Sequence, residues 1–335
     1  MQTKTKVLLI GGAGYVGTVI ASHLLKKNKQ VRILDNFIYN HQFSVQHLVG
    51  DPDFEIMKGD LTNPSDLGKA IEDVSDVVIL GGLVGDPITK KYPEQSDSIN
   101  HQGIIQCMNF LNGKGLNRVL FISTCSNYGL IKEDELADEE FTLNPLSLYA
   151  TAKVESEKHF LSMKDSADFT GVILRFATAF GISPRMRFDL TVNEFVRDLF
   201  YGKELLVYDE DTWRPYCHVR DFARLIRIVL EAPEDKIHFE VFNAGGEVNN
   251  FTKRMIVDQI LNRLPDGNVS YNSKGSDPRN YRVSFAKVKN ALGFEPKYTV
   301  EQGIEELIEM LQIGMYSDSL SEPGKYGNYN LDPVK

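Results

Sequence analysis

Cysteine is scarce in this chain of 335 residues: Cys107, Cys125 and Cys217 are the full set. They form no C-x-x-C pair and have no histidine at metal-ligand spacing, so neither a zinc site nor a disulfide framework is expected and no metal is assigned. Reduced thiols point to the cytoplasm. A basic excess is missing as well. Lys and Arg number 37 against 46 Asp and Glu, a formal net charge of −9, whereas a protein that neutralises duplex phosphates carries a basic stripe. Nucleic acid is therefore not an expected partner, although a few well-placed arginines can still hold a small anion against the net field. Long apolar runs are absent too. The opening MQTKTKVLLIGGAGYVG has the outline of a leader peptide, but VLLI is interrupted by glycines after four residues. No stretch approaches the roughly 18 apolar residues that span a bilayer, so no membrane partner is expected.

What is present is an ordinary globular composition, 42% hydrophobic and 25% charged, in a chain long enough for two lobes. Short apolar runs recur: KVLLI (6–10), QVRIL (30–34), FEIM (54–57), DVVIL (76–80), RVLFI (118–122) and GVILR (171–175). Continuous runs separated by helix-length segments read as buried parallel strands. The expectation is an α/β protein with a doubly wound parallel sheet over residues 1–180. A smaller, mainly substrate-binding C-terminal lobe over 181–315 would return in part to the first. There, helices are expected near 190–201, 219–232 and 301–312, with a strand at 205–208. Residues 316–335, rich in Gly, Ser, Pro and Tyr, read as a docked or frayed tail. No internal repeat is evident.

Directly after the first run, GGAGYVG places Gly11, Gly14 and Gly17 at a strand-to-helix turn. Glycines there serve a tight turn, close backbone approach to a pyrophosphate, and close packing of helix on strand, the signature of a Rossmann dinucleotide site. Tyr15 and Val16 lie within the same turn. The next strand ends at Asp35, at the distance where a carboxylate accepts ribose hydroxyls and repels a 2′-phosphate, so NAD is expected over NADP, with Asn36 beside it. Because ligands bind at the carboxyl edge of such sheets, Asp60 and Leu61 after the third run and Gly81 and Gly82 after the fourth join the cofactor set, with Asn100 on the following helix.

Tyr149 and Lys153 are four residues apart in LSLYATAKVESEKHFL, which reads as a helix after Pro145 and puts both on one face. Bringing a phenol from a pKa near 10 to about 7 takes roughly 4 kcal/mol of selective phenolate stabilisation. The ammonium of Lys153 and a positive nicotinamide could supply it. Tyr149 could then take a hydroxyl proton while hydride leaves the same carbon, with Thr124, in STCSNYG, hydrogen-bonding that oxygen.

Together these motifs resemble, over roughly residues 5–313, an extended short-chain dehydrogenase/reductase of the nucleotide-sugar epimerase and dehydratase group. The resemblance implies NAD contacts from Gly11, Gly14, Gly17, Asp35, Asp60 and Lys153, and proton-relay hydroxyls at Thr124 and Tyr149. It also implies a nucleotide-diphosphate sugar in the second lobe. DTWRPYCHVRDFA is similar to the family's R-D-Y-I-H-V-D-D stretch, making Arg214 a candidate diphosphate clamp and His218 structural, with Tyr208 beside the base. DPRNYRVSFAKVKNALGFEP gives Arg279 the same diphosphate role. The resemblance further implies a homodimer through helices around 92–112 and 145–164.

The family's 4,6-dehydratases typically read S-T-D-E-V-Y-G, and its UDP-glucuronate decarboxylases usually carry Glu where this chain has Ser126. With Cys125 and Ser126 at those places, elimination and decarboxylation are disfavoured, and a 4-epimerase or simple 4-ketoreductase is favoured. Two departures stand out. Thr178 in LRFATAFG replaces a substrate-contacting Asn, and GISPRMRFDLTVNEF is more similar to a subgroup that includes GDP-heptose 4-dehydrogenases, in which Arg185 and Arg187 would meet phosphate or sugar. The leading expectation is NAD-dependent 4-epimerisation of a nucleotide-diphosphate sugar. Net 4-dehydrogenation or 4-ketoreduction is the alternative, and a silent NAD sensor is disfavoured because Thr124, Tyr149 and Lys153 are all kept.

Overall fold

The computed structural model describes residues 5–331 except 133, 274 and 276–278. In chain order its strands are β1 (Lys6–Ile10), β2 (Gln30–Asp35), β3 (Phe54–Lys58), β4 (Asp76–Ile79), β5 (Arg118–Thr124), β6 (Thr170–Phe176), β7 (Thr178–Phe180), β8 (Leu205–Tyr208), β9 (Trp213–His218), β10 (Glu240–Ala244), β11 (Asn250–Thr252) and β12 (Val269–Asn272). All six apolar runs of the first half became strands. With β10 they form a seven-stranded parallel sheet in the order β10-β6-β5-β4-β1-β2-β3.

The continuous apolar runs follow from burial on both faces. Val7 and Leu9 of β1 belong to one core, Leu8 and Ile10 to another, and the same alternation separates Leu120 and Ile122 from Val119 and Phe121 on β5. The first core lies under the helices Tyr15–Leu25 and Val219–Glu231, the second under Ile104–Leu111 and Leu148–Ser162. Each such side chain, fully buried, is worth about 1.5–3 kcal/mol, so neither strand face tolerates a polar register.

The second half builds its own core around Phe188, Val192, Val196, Ile256, Ile260, Ile304 and Leu307. Two small sheets, β11-β9-β7 and β12-β8, belong to it. As expected, one strand and one helix return to the first half: β10 pairs with β6, and Val219–Glu231 packs beside Tyr15–Leu25. The expected helices run Thr191–Phe200, Val219–Glu231 and Val300–Gln312, the last fixed by a Thr299–Gln302 capping box.

The tail is docked as far as it is described. The Phe188 amide donates to the Tyr326 carbonyl at 2.7 Å, the Asn328 amide donates to Asp189 Oδ2 at 3.1 Å, and Asn328 Nδ2 donates to the Val84 carbonyl at 3.2 Å. Its last turns thus bridge the segments that follow β4 and β7. Among the described residues no helix is long and apolar enough to cross a membrane.

Candidate active site

Strand order reverses between β1 and β4, and the carboxyl ends of β1, β2, β4, β5 and β6 open there into one cleft of about 760 Å³. The glycine turn forms its floor. Gly11 has φ +75°, and a Cβ on it would meet the Gly81 Cα at 2.4 Å; a Cβ on Gly17 would meet the Gly12 carbonyl oxygen at 2.4 Å. Gly14 is not crowded in this way, with its nearest atom at 3.7 Å. Its extended backbone caps the Tyr15–Leu25 helix without a side chain, leaving a cradle before the helix N-terminus that any larger residue would fill.

At the end of β2, Asp35 is buried and held twice: Oδ2 accepts from the Ala13 amide at 3.0 Å and Oδ1 from the Phe37 amide at 2.8 Å. A carboxylate has lone pairs left for ribose hydroxyls. Asn36 Nδ2 donates to Asp60 Oδ2 at 2.8 Å, and Asp60 Oδ1 accepts from the Thr62 amide and hydroxyl. Burial alone would raise the Asp60 pKa, but these hydrogen bonds outweigh it and hold the carboxyl below its usual range. Tyr15, Val16, Leu61, Gly81 and Gly82 also line the cleft. Asn100 does not. It is buried in a stretch of wide helical turns, Asp97–Gly103, where Oδ1 accepts from the Leu83 amide at 2.7 Å and Nδ2 donates to the Leu83 carbonyl at 2.9 Å. It shapes the turn after β4 rather than facing a ligand. The remaining set, a clear helix N-terminus beside a fixed carboxylate, fits a dinucleotide.

Ser147 caps the Leu148–Ser162 helix, accepting from the Ala150 amide at 3.2 Å, and starts it just before Tyr149. Tyr149 and Lys153 therefore share the face turned to the cleft, with Thr124 at the end of β5. Lys153 is 3% exposed; its Nζ donates to the Ile122 carbonyl at 2.7 Å and stands 4.6 Å from the Phe121 ring centre and 5.9 Å from that of Tyr149. Burial pulls its pKa down to about 8, opposed by Glu157. The Tyr149 phenol is pushed up by burial and then by Asp86, with Arg187 acting the other way. Without further positive charge it stays protonated at neutral pH.

Below this floor lies a polar network that the sequence reading did not single out. Glu157 Oε2 pairs with Arg175 at 2.8 Å, and Oε1 accepts from Asn127 Nδ2 at 2.8 Å and from the Ser123 hydroxyl. Its signal was available, since Glu157 follows Lys153 by one helical turn on the same face. Cys125 points into the core, 1% exposed, with its thiol on the Arg175 carbonyl and burial pushing its pKa up.

Ser126, Thr178, Arg187, Arg214 and Arg279 also line the cleft. Arg279 forms an ion pair with Asp86 at 2.7 Å, and the Arg214 guanidinium lies 5.0 Å from the centre of the Tyr281 ring. Arg187 is forked onto Asp189 at 2.9 and 2.6 Å. Asp86 and Tyr281 were also missed, although each adjoins a motif already noted. Tyr208, expected beside the base, is 44% exposed at the end of β8 and its side chain does not line the cleft. Strand alternation puts Val207 inward and Tyr208 outward. His218 is structural as expected, capping its helix through Nδ1 and meeting Glu306 at 2.9 Å.

Residues 7–245 match the NAD dependent epimerase/dehydratase family. The chain belongs to this family. Membership makes NAD the cofactor. Among curated relatives, UDP-glucuronic acid decarboxylase 2 of Arabidopsis thaliana is 25% identical over 93% of this chain and 69% of its own length. A Bacillus subtilis protein described as an uncharacterized UDP-glucose epimerase is 26% identical over 91% and 98%. Among solved structures, UDP-glucuronic acid 4-epimerase of Bacillus cereus, in complex with UDP-glucuronic acid and NAD, superimposes with a TM-score of 0.82 at 22% identity, covering 93% and 100%. The dTDP-glucose 4,6-dehydratase of Bacillus anthracis, in complex with NAD, gives 0.82 at 24%, covering 93% and 98%. Family members thus include epimerases, dehydratases and decarboxylases built on one fold.

Proposed function

We propose that this protein oxidises C4 of a nucleotide-diphosphate sugar and returns the hydride to the same carbon, giving 4-epimerisation. The observation that carries the reading is what stands between Thr124 and Asn127. Cys125 is turned into the core with a raised pKa, and Ser126 offers only a hydroxyl, 3.3 Å from that of Tyr281. Neither can supply the carboxyl acid or base that elimination of water uses, while Thr124, Tyr149 and Lys153 supply what hydride and proton transfer use.

Bound NAD would supply the hydride acceptor and donor for C4 and, through its positive nicotinamide, a charge that would lower the Tyr149 phenol pKa that burial has raised. Tyr149 removes the C4 hydroxyl proton as the C–H bond breaks, then returns it when hydride arrives on the opposite face. Thr124 holds the same oxygen. Lys153 keeps its ammonium beside the phenol, favouring phenolate over phenol. Arg214 and Arg279 hold the diphosphate, leaving the sugar ring free to turn between the two transfers.

The test is incubation with UDP-, GDP-, CDP- and dTDP-sugars while following sugar products and NADH. A C4 epimer with no net NADH is expected, and Tyr149→Phe should lower kcat by about 10²–10⁴. A product that keeps a free keto group would refute epimerisation in favour of net 4-oxidation, and unchanged turnover in Tyr149→Phe would refute the catalytic assignment.

A further inference from the structure

Arg185 is 5% exposed, lines the cleft, and among the described residues has no carboxylate in ion-pair contact. Among the described residues its side chain makes one hydrogen bond, a long one of 3.4 Å from a terminal nitrogen to the Gly327 carbonyl, and its buried Nε has no partner there. Its guanidinium lies 5.2 Å from the centre of the Tyr39 ring. The Tyr39 hydroxyl and His41 Nδ1 are likewise buried without hydrogen-bond partners, and both residues line the cleft. Two donors left unsatisfied in one wall, the Arg185 guanidinium and the Tyr39 hydroxyl, describe a place for an anion, since each would otherwise carry its full desolvation cost. In keeping with that, burial and Arg187 pull the Arg185 pKa down to about 10.

Two sets of contacts locate this wall along a dinucleotide. On one side His41 Nε2 is 3.5 Å from Asp35 Oδ1, so the wall adjoins the carboxylate that takes the ribose hydroxyls. On the other, the loop bearing Arg185 is tied to the first turn of the Tyr15–Leu25 helix. Ser183 Oγ donates to the Tyr15 carbonyl at 2.6 Å and accepts from the Arg185 amide at 3.3 Å, and the Tyr15 hydroxyl donates to the Gly181 carbonyl at 2.6 Å. Arg185 is thus held between the ribose anchor and the helix N-terminus, which is where the diphosphate of a bound dinucleotide passes. The nucleotide-sugar candidates Arg214 and Arg279 are grouped instead around Tyr281 and Asp86, near the proton-transfer residues.

We propose that Arg185, seated on Tyr39 and flanked by His41, is a clamp on the NAD diphosphate supplied by the second half of the chain, and not a contact for sugar or sugar phosphate. A fork from a distant segment closes the side of the diphosphate that the helix N-terminus leaves open.

The test is isothermal titration of the NAD-free, full-length protein with NAD, NADP and ADP-ribose, with adenosine measured by competition. In Arg185→Ala, affinity for NAD and ADP-ribose should fall by about tenfold or more while adenosine stays within about twofold, because only the former carry the diphosphate. Arg185→Lys keeps charge but not the fork, so a smaller yet measurable loss is expected. Unchanged NAD affinity in both variants overturns the proposal, as does an equal loss for adenosine or a loss confined to NADP. A rise in KM for a nucleotide sugar with NAD affinity unchanged also overturns it and returns Arg185 to the substrate. If Arg185→Ala no longer melts cooperatively, the Lys variant decides, unchanged NAD affinity there being the refuting result. These readouts involve no sugar chemistry, so failure of the 4-epimerase reading leaves the test intact.

Discussion

Replacing Lys153 by Met should make the NAD-free protein more stable at neutral pH while abolishing turnover. The ammonium is buried, and its pKa falls from 10.5 to about 8 on folding, chiefly through desolvation. The unfolded chain therefore holds this proton more tightly than the folded one, which costs about 3 kcal/mol at pH 7. Methionine removes the charge at similar length but also removes the donor to the Ile122 carbonyl, which returns about 1–2 kcal/mol of penalty. A net gain of about 1 kcal/mol at pH 7 remains. The sign with pH is opposite to that of a paired lysine: below the folded pKa the cost is complete, and it is relieved as pH rises from about 8 towards 10.5. The advantage of Lys153→Met over wild type should accordingly shrink by about 1 kcal/mol between pH 7 and pH 9. Equilibrium urea unfolding of both proteins at the two pH values measures it. A gap that stays constant, or widens, would mean that Lys153 is not held at a depressed pKa and that its ammonium carries no burial cost.

Other consequences follow from contacts already described. Arg214→Ala and Arg279→Ala should each lower kcat/KM for the accepted nucleotide sugar by about 1.5–3 kcal/mol, mostly through KM. Asp86→Asn, which releases Arg279 from its ion pair, should lower KM instead, and unchanged KM in both arginine variants would place the diphosphate elsewhere, with Arg187 next in line. Glu157→Gln leaves the Arg175 guanidinium buried without its counter-charge and should cost about 3–5 kcal/mol in urea unfolding; a loss under about 1 kcal/mol would show that the network is replaceable. The homodimer implied by the resemblance would form on the outward faces of Asp97–Leu111 and Leu148–Ser162, where Gln102, Gln106, Asn109, Thr151, Glu155 and Lys158 are exposed. So polar a face predicts a dimer that weakens with Glu155→Lys, and sedimentation of the wild type as a monomer at micromolar concentration would reject it.

The elements that sequence alone determined are those governed by short-range pattern. Apolar runs without alternation read as strands buried on both faces; all six are strands, and the exception to the burial is β3 at the sheet edge, where Ile56 is 38% exposed. Gly17 is demanded by an approach of 2.4 Å to Gly12 within the turn they form, whereas the one at Gly11 is to Gly81 after β4, and Asp35 is the last residue of β2. Tyr149 and Lys153 share a face because a helix repeats every 3.6 residues. Loops carry no such period, and their side chains are assigned by contacts between distant parts of the chain. Asp86 meets Arg279, so a residue expected to be free for a ligand is held by a carboxylate. Asn100 is drawn to the Leu83 backbone, since a buried amide satisfies a turn better than it faces an open cleft. Tyr208 falls on the outward side of a strand that pairs only with β12. Arg185, read beside Arg187 as a sugar or phosphate contact, sits on a loop that Ser183 and Gly181 tie to the Tyr15 turn and is braced by Gly327 from the tail. Tyr15, Arg185 and Gly327 are separated from one another by well over a hundred residues, and only closure of the fold brings them into one wall.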